Sequence, residues 1–209
     1  MINYYQESLK EIEQLKKRQE KARLLIHVCC APCATFPIQW LNSIFDITIY
    51  YANSNIYPLS EYQKRKDELL KYVEVFNNEY NSNVKVIIPK YENENFNDLT
   101  KDLAQEKEKG TRCTLCYSIR LEETFKYASD NKFDYVTTAM TISRHKDSQR
   151  LNTIGMALEN KYQNVRYFKS DFKKKDGQLI ASKLSMKYQM YRQDYCGCIY
   201  SYQNFLKKD

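Results

Sequence analysis

Glycine is scarce in this chain, with four among 209 residues, at positions 110, 155, 177 and 197. No G-x-G-x-x-G turn and no P-loop can be assembled from them, which excludes the usual dinucleotide and Walker-type sites. Long apolar runs are missing too, and none approaches the ~20 residues that a membrane-spanning helix needs. The first 23 residues hold six basic and four acidic side chains and no apolar segment, so no secretory signal is visible. Neither an internal repeat nor a Pro/Gly/Ser-rich linker marks a domain boundary, and the length suits one well-buried domain. Seven cysteines in such a chain lead us to expect a reducing cytoplasm and no membrane partner. There, clustered thiols hold metal or do redox work more often than they form structural disulfides.

Charge is unevenly placed. Residues 161–209 carry eleven Lys/Arg against four Asp/Glu, while the rest of the chain is balanced, so this last quarter holds the whole net charge of +7. It includes Lys173, Lys174 and Lys175 in a row. A solvated face is the simplest account of such a run, and a surface for a polyanion is the sharper one.

The apolar pattern predicts an α/β fold. Residues 3–22 read as an amphipathic helix with Tyr5, Leu9, Ile12 and Leu15 on one stripe. Leu24–Val28 reads as a strand buried on both faces, as a central parallel strand should be, with His27 a satisfied core histidine. Further strands are expected at 45–52, 84–88, 134–140 and 165–168. Helices are expected between them, at about 96–109, 113–130, 147–162 and 180–192. A long helix is also expected after a capping box formed by Ser60 and Gln63. Strands alternating with helices imply a parallel sheet covered on both faces, whose functional crevice lies beyond the carboxyl ends of the strands.

The cysteines are placed to meet at that edge. "LLIHVCCAPC" sets Cys29 and Cys30 at the end of the first strand and Cys33 at the start of the next helix. "RCTLC" sets Cys113 and Cys116 at the start of a helix that must run back to begin the strand at 134. "DYCGCIYS" adds Cys196 and Cys198. Simple alternation leaves the end of the preceding helix at the opposite edge, so an extra excursion has to bring this pair to the others. A structural zinc would take four thiolates, for instance Cys30, Cys33, Cys113 and Cys116, and leave three unemployed. An iron–sulfur cluster also takes four, with the remainder free for redox chemistry. Unliganded thiols are the third account.

Several strings together resemble the QueH-type epoxyqueuosine reductases. They are "LLIHVCCAPC", "ANSNIYPLSEYQKR", "RCTLCYSIRLE", "FDYVTTAMTISRHKD", "SDFKKKDG" and "YRQDYCGCIYS", within roughly residues 22–202. Arg144 stands where a proline is expected in that family. The resemblance implies a Rossmann-like, adenine-nucleotide-hydrolase-like α/β fold, with residues 1–21 a helical extension and 22–209 a single catalytic domain. It implies a 4Fe–4S cluster on Cys29, Cys30, Cys113 and Cys116, a redox-active pair at Cys196 and Cys198, and Cys33 as a candidate ligand to an additional iron. The implied substrate is tRNA carrying epoxyqueuosine in its anticodon loop, with an electron donor still to be identified. Asp194, Tyr195 and His145 are candidate proton donors, Asp194 being the one placed with the catalytic pair. Lys173–Lys175 are expected to contact tRNA phosphates. A tRNA thiolase of the same broad fold would need a Ser-Gly-Gly-x-Asp loop where Cys29–Thr35 stands. A non-catalytic zinc-stabilised RNA-binding module is the other rival, separated by analysis for iron and sulfide against zinc.

Overall fold

A computed structural model describes residues 2–18 and 21–207. Five strands, β1 (Ala22–His27), β2 (Phe45–Tyr50), β3 (Lys85–Ile87), β4 (Tyr135–Thr138) and β5 (Arg166–Tyr167), form one sheet in the order β3-β2-β1-β4-β5. Every pairing is parallel. Among the described residues eight α-helices accompany it: α1 (Tyr4–Leu15), α2 (Ala31–Leu41), α3 (Leu59–Tyr80), α4 (Asn93–Thr100), α5 (Thr111–Asp130), α6 (Ser148–Lys161), α7 (Gly177–Lys187) and α8 (Ile199–Leu206).

The central strand shows why the sequence folds this way. Leu24, Leu25 and Ile26 are wholly buried because both faces of β1 are covered. On one face Ile12 and Leu15 of α1, Ile38 of α2, Leu69 and Phe76 of α3 and Ala181 of α7 close over Leu24 and Ile26. On the other, Leu121 and Phe125 of α5 and Leu151 of α6 pack on Leu25 and Val136. The fit there is tight: a Cβ at Gly155 of α6 would fall 2.3 Å from the Tyr167 ring, so only glycine lets this helix approach β5. Strands β1 to β3 are laid down toward one edge, and the chain then crosses back to place β4 on the far side of β1. After β1 it enters α2 on one face; after β4 it enters α6 on the other. This is the topological switch point where an open α/β sheet leaves a crevice.

Strands β2 to β5 are shorter than expected, the one expected over 134–140 ending at Thr138, and the helices depart from the sequence expectations in five places. The helix expected over 3–22 is α1, ending at Leu15; residues 19 and 20 of that stretch lie outside the described residues. Ser60 and Gln63 do not cap α3, because the helix begins two residues earlier than a Ser60 cap would set it, after Pro58, and Ser60 already lies within its first turn. The helix expected over 96–109 is α4 followed by a 3-10 turn over Lys101–Leu103, and the chain then reverses at Lys109, with φ of 70°. The helix expected over 180–192 starts earlier and stops at Lys187, Gln189 turning the backbone to positive φ. Helix α8 was not expected; its run "IYSYQNFL" is too short to show a clear period.

Candidate metal and redox site

Cys30 is the extended residue capping α2, and the proline after Ala31 suits the first helical turn, where its missing N–H would have had no partner. This start folds three thiols onto one another. The sulfur atoms of Cys29, Cys30 and Cys33 all lie within 4.8 Å, and those of Cys29 and Cys30 are 3.8 Å apart. Cys29 and Cys30 are buried and Cys33 half-buried. Gln193 adds an amide contact to the Cys30 sulfur at 3.4 Å.

Hydrogen bonds from Cys30 and then Cys33 draw the Cys29 thiol well below its ordinary value. The same bond holds the Cys30 proton, up to about 11, and Cys33 is raised as well, first by Cys29 and then by Cys30. Negative charge in the trio is thus favoured on Cys29, with Cys30 and Cys33 as its hydrogen-bond donors. Cationic side chains stand nearby. Burial alone would push the half-buried Lys146 down, yet the thiols of Cys196, Cys29 and Cys33 hold its ammonium above the ordinary value. Buried Arg120 donates to the Ala52 carbonyl (3.2 Å) and to Asn53 Oδ1 (2.6 Å), and Asn53 donates to the Val28 carbonyl (2.8 Å). Helix α5, the segment after β2 and the end of β1 are thereby tied together. His27 is the expected core histidine: its Nε2–H donates to the Ala52 carbonyl, its Nδ1 accepts from Thr138, and burial lowers it to about 3.

The second pair opens α5. The Lys109 N–H donates to the Cys113 sulfur at 3.2 Å, and burial raises this thiol. Enclosure of its thiol pushes Cys116 up to about 12. The third pair returns by the expected excursion: from the end of α7 an irregular segment runs back over the sheet edge, and Cys198 caps α8. Cys196 is exposed, and the Cys198 thiol lies 3.5 Å from Ser201 Oγ.

All three stretches open onto one cavity of about 400 Å³, with Cys29, Cys113 and Cys196 in its wall. Among the described residues only Cys29, Cys30 and Cys33 form a ligand group within 4.8 Å; Cys113 and Cys116 stand outside it, across the site. The donor set is nonetheless that of a soft-metal centre, because thiols raised by burial ionise most readily on a metal.

The candidate proton donors all line the cavity. The Tyr195 hydroxyl is already committed to the Tyr57 carbonyl at 2.6 Å. His145 is exposed and accepts from Arg144 at 3.3 Å, and Asp194 is exposed at the rim. The basic run leaves β5 at the same sheet edge but does not line the cavity. Lys173 pairs with Asp171 at 2.8 Å and donates to the Thr141 carbonyl, leaving Lys174 and Lys175 exposed. Arg65, Arg120, Lys146 and Asn53 were given no role by the sequence. The only signal for them was membership of the quoted strings, where each reads as an ordinary polar residue.

Comparison with known proteins agrees with this geometry. A family model described as epoxyqueuosine reductase QueH matches residues 24–204, which span all seven cysteines. The Staphylococcus epidermidis protein named epoxyqueuosine reductase QueH is 41% identical over 202 residues, covering 96% of this chain and 84% of that one. The proteins of the same name from Staphylococcus aureus and Thermotoga maritima are 40% identical over 202 residues and 33% identical over 184. They cover 96% and 85% of this chain, and 84% and 89% of their own length. A parallel α/β sheet gathering three cysteine pairs and a seventh thiol at its switch point, matched over nearly its whole length, belongs to the epoxyqueuosine reductase QueH family.

Proposed function

We propose that this protein reduces epoxyqueuosine to queuosine in the anticodon loop of tRNA, in the cytoplasm. The observation that carries the reading is that one cysteine from each of three distant stretches faces the same cavity. Cys29, Cys30, Cys113 and Cys116 would hold a 4Fe–4S cluster, and Cys33 an additional iron. When bound, these groups supply one-electron transfer from an external donor and Lewis acidity toward the epoxide oxygen.

The chain's own residues do the rest. Removing the epoxide oxygen as water, leaving an alkene, takes two electrons and two protons. Cys196 and Cys198, closing from dithiol to disulfide, release two electrons and two protons, so the step balances. Cys196 and Asp194 both line the cavity, and Asp194 would relay a proton to the departing oxygen. Lys146 and Arg120 offset the charge of the thiolates, which favours their ionised form.

The test is anaerobic incubation of the purified protein, assayed for iron and sulfide, with epoxyqueuosine-containing tRNA and a low-potential reductant. Loss of one oxygen atom from the modified nucleoside is expected by mass spectrometry. Protein with its iron and sulfide in place that leaves the epoxide untouched would refute the assignment.

Lys174 and Lys175 contact phosphates of the bound RNA outside the cavity. Each single-strand phosphate contact contributes a log–log salt slope of roughly −0.7. Replacing both lysines by glutamine is therefore expected to make the slope shallower by about 1.4. Turnover of a saturating anticodon stem-loop should stay unchanged. An unaltered slope and affinity would leave the run as a solvated face.

A further inference from the structure

The string "ANSNIYPLSEYQKR" supplies no thiol, yet the third cysteine pair is seated on it. Arg65 lies in α3 and is 2% exposed, an unusual position for a guanidinium. Its Nε donates to Glu61 Oε1 at 2.7 Å, its Nη1 to the Cys196 carbonyl at 3.1 Å and its Nη2 to the Tyr195 carbonyl at 3.1 Å. Glu61 is held from its other side by the Tyr191 hydroxyl, at 3.0 and 3.2 Å from its two oxygens. The next carbonyl along, that of Gly197, accepts from the Tyr57 N–H at 2.7 Å. The Gly197 N–H donates to Ser201 Oγ at 3.1 Å. Three consecutive carbonyls, those of residues 195, 196 and 197, are thus fixed by groups from outside the loop.

We propose that Arg65 is a positioning residue for the dithiol, setting the backbone of Cys196-Gly197-Cys198 so that its two sulfur atoms meet at the cavity mouth. The proposal rests on the reading of Cys196 and Cys198 as the redox pair. Two thiols one residue apart close only if the backbone between them adopts one of few conformations, and glycine at φ 131° provides it. Arg65 holds the peptide plane on either side of Cys196. A lysine carries the same charge but offers no planar fork; it can pair with Glu61 or reach one carbonyl, not all three acceptors together. Gly197 completes the fit, since a Cβ there would lie 3.1 Å from Arg65 Nη1 and 3.3 Å from Ile56 Cγ1.

The experiment compares Arg65→Lys and Gly197→Ala with the wild-type holoenzyme. The second variant disturbs the same fit from the loop side, meeting Arg65 Nη1 while leaving Arg65 and Glu61 themselves in place. Two quantities are read: the steady-state constants, and the equilibrium constant of the Cys196–Cys198 disulfide in glutathione buffers, by alkylation and peptide mass spectrometry. Both variants are expected to keep iron and sulfide and to hold KM within twofold. Their kcat should fall about 10²-fold, the scale of an ångström of misplacement. The disulfide equilibrium should shift tenfold or more toward the dithiol, which for this couple is about 30 mV. Wild-type kcat and equilibrium constant in Gly197→Ala would overturn the positioning role. Full activity in Cys196→Ser would instead overturn the redox pair itself, and this role with it.

Discussion

Cys30→Ser is expected to lose its iron, its sulfide and its visible absorption, and to convert no epoxyqueuosine. Cys30 is 2% exposed, with its sulfur 3.8 Å from that of Cys29. Serine fits the space but presents a hard hydroxyl, which does not ionise at neutral pH and which iron–sulfur centres bind poorly compared with thiolate. Loss of an outer hydrogen-bonding partner alone costs roughly 10–100-fold in metal affinity, and loss of a direct ligand should exceed that. Ser replacement at Cys29, Cys113 or Cys116 should act alike, since a four-thiolate centre has no spare. Iron and sulfide analysis of anaerobically purified variants decides the matter. Retention of both in all four single variants would dismiss the ligand assignment. Zinc without sulfide in the wild-type protein would replace the cluster by a single ion.

Cys198→Ser, and equally Cys196→Ser, should separate colour from chemistry. Neither residue is among the four proposed to hold the cluster, so the cluster should assemble and the absorption persist. Turnover should vanish all the same. A serine cannot close onto its neighbour, and without the dithiol the site has no two-electron, two-proton source of its own. The contrast is sharpest in a single-turnover experiment, where reduced wild-type protein without external reductant should convert up to one equivalent of substrate and the variants none. If either variant arrives colourless and iron-free, that cysteine is a ligand and the dithiol scheme is lost.

How much of this was readable in the sequence depends on separation along the chain. β1 declares itself because Leu24–Ile26 is apolar without alternation, the mark of a strand covered on both faces. The start of α5 could be assigned to the cysteine edge because a helix feeding a parallel strand must begin there. The strand order could not, since nothing in a linear pattern says on which side of β1 the strand β4 pairs. The seat of the Cys196 loop was hidden for a related reason. Arg65 sits among Gln63, Lys64 and Lys66, which reads as a solvated helix face, and its partners lie 130 and 131 positions away. Ser60 misled by matching a local motif whose helix starts elsewhere. Lys173 was read as one of three equal charges, and its pairing with Asp171, two residues earlier, was not foreseen.

That the cavity draws its sulfurs from positions 29, 113 and 196 also sets an order of events during synthesis. Synthesis runs from the N-terminus, so the first two stretches leave the ribosome before the third. The two stretches proposed to hold the cluster are therefore available while the Cys-Gly-Cys segment is still being made. Metal delivered at that stage meets an uncovered edge, and the last stretch then folds over a centre already loaded. A chain that finishes without its metal has the same lid across an empty thiol nest. Late loading should be slower than early loading, by whatever it takes to lift residues 188–198 from α3.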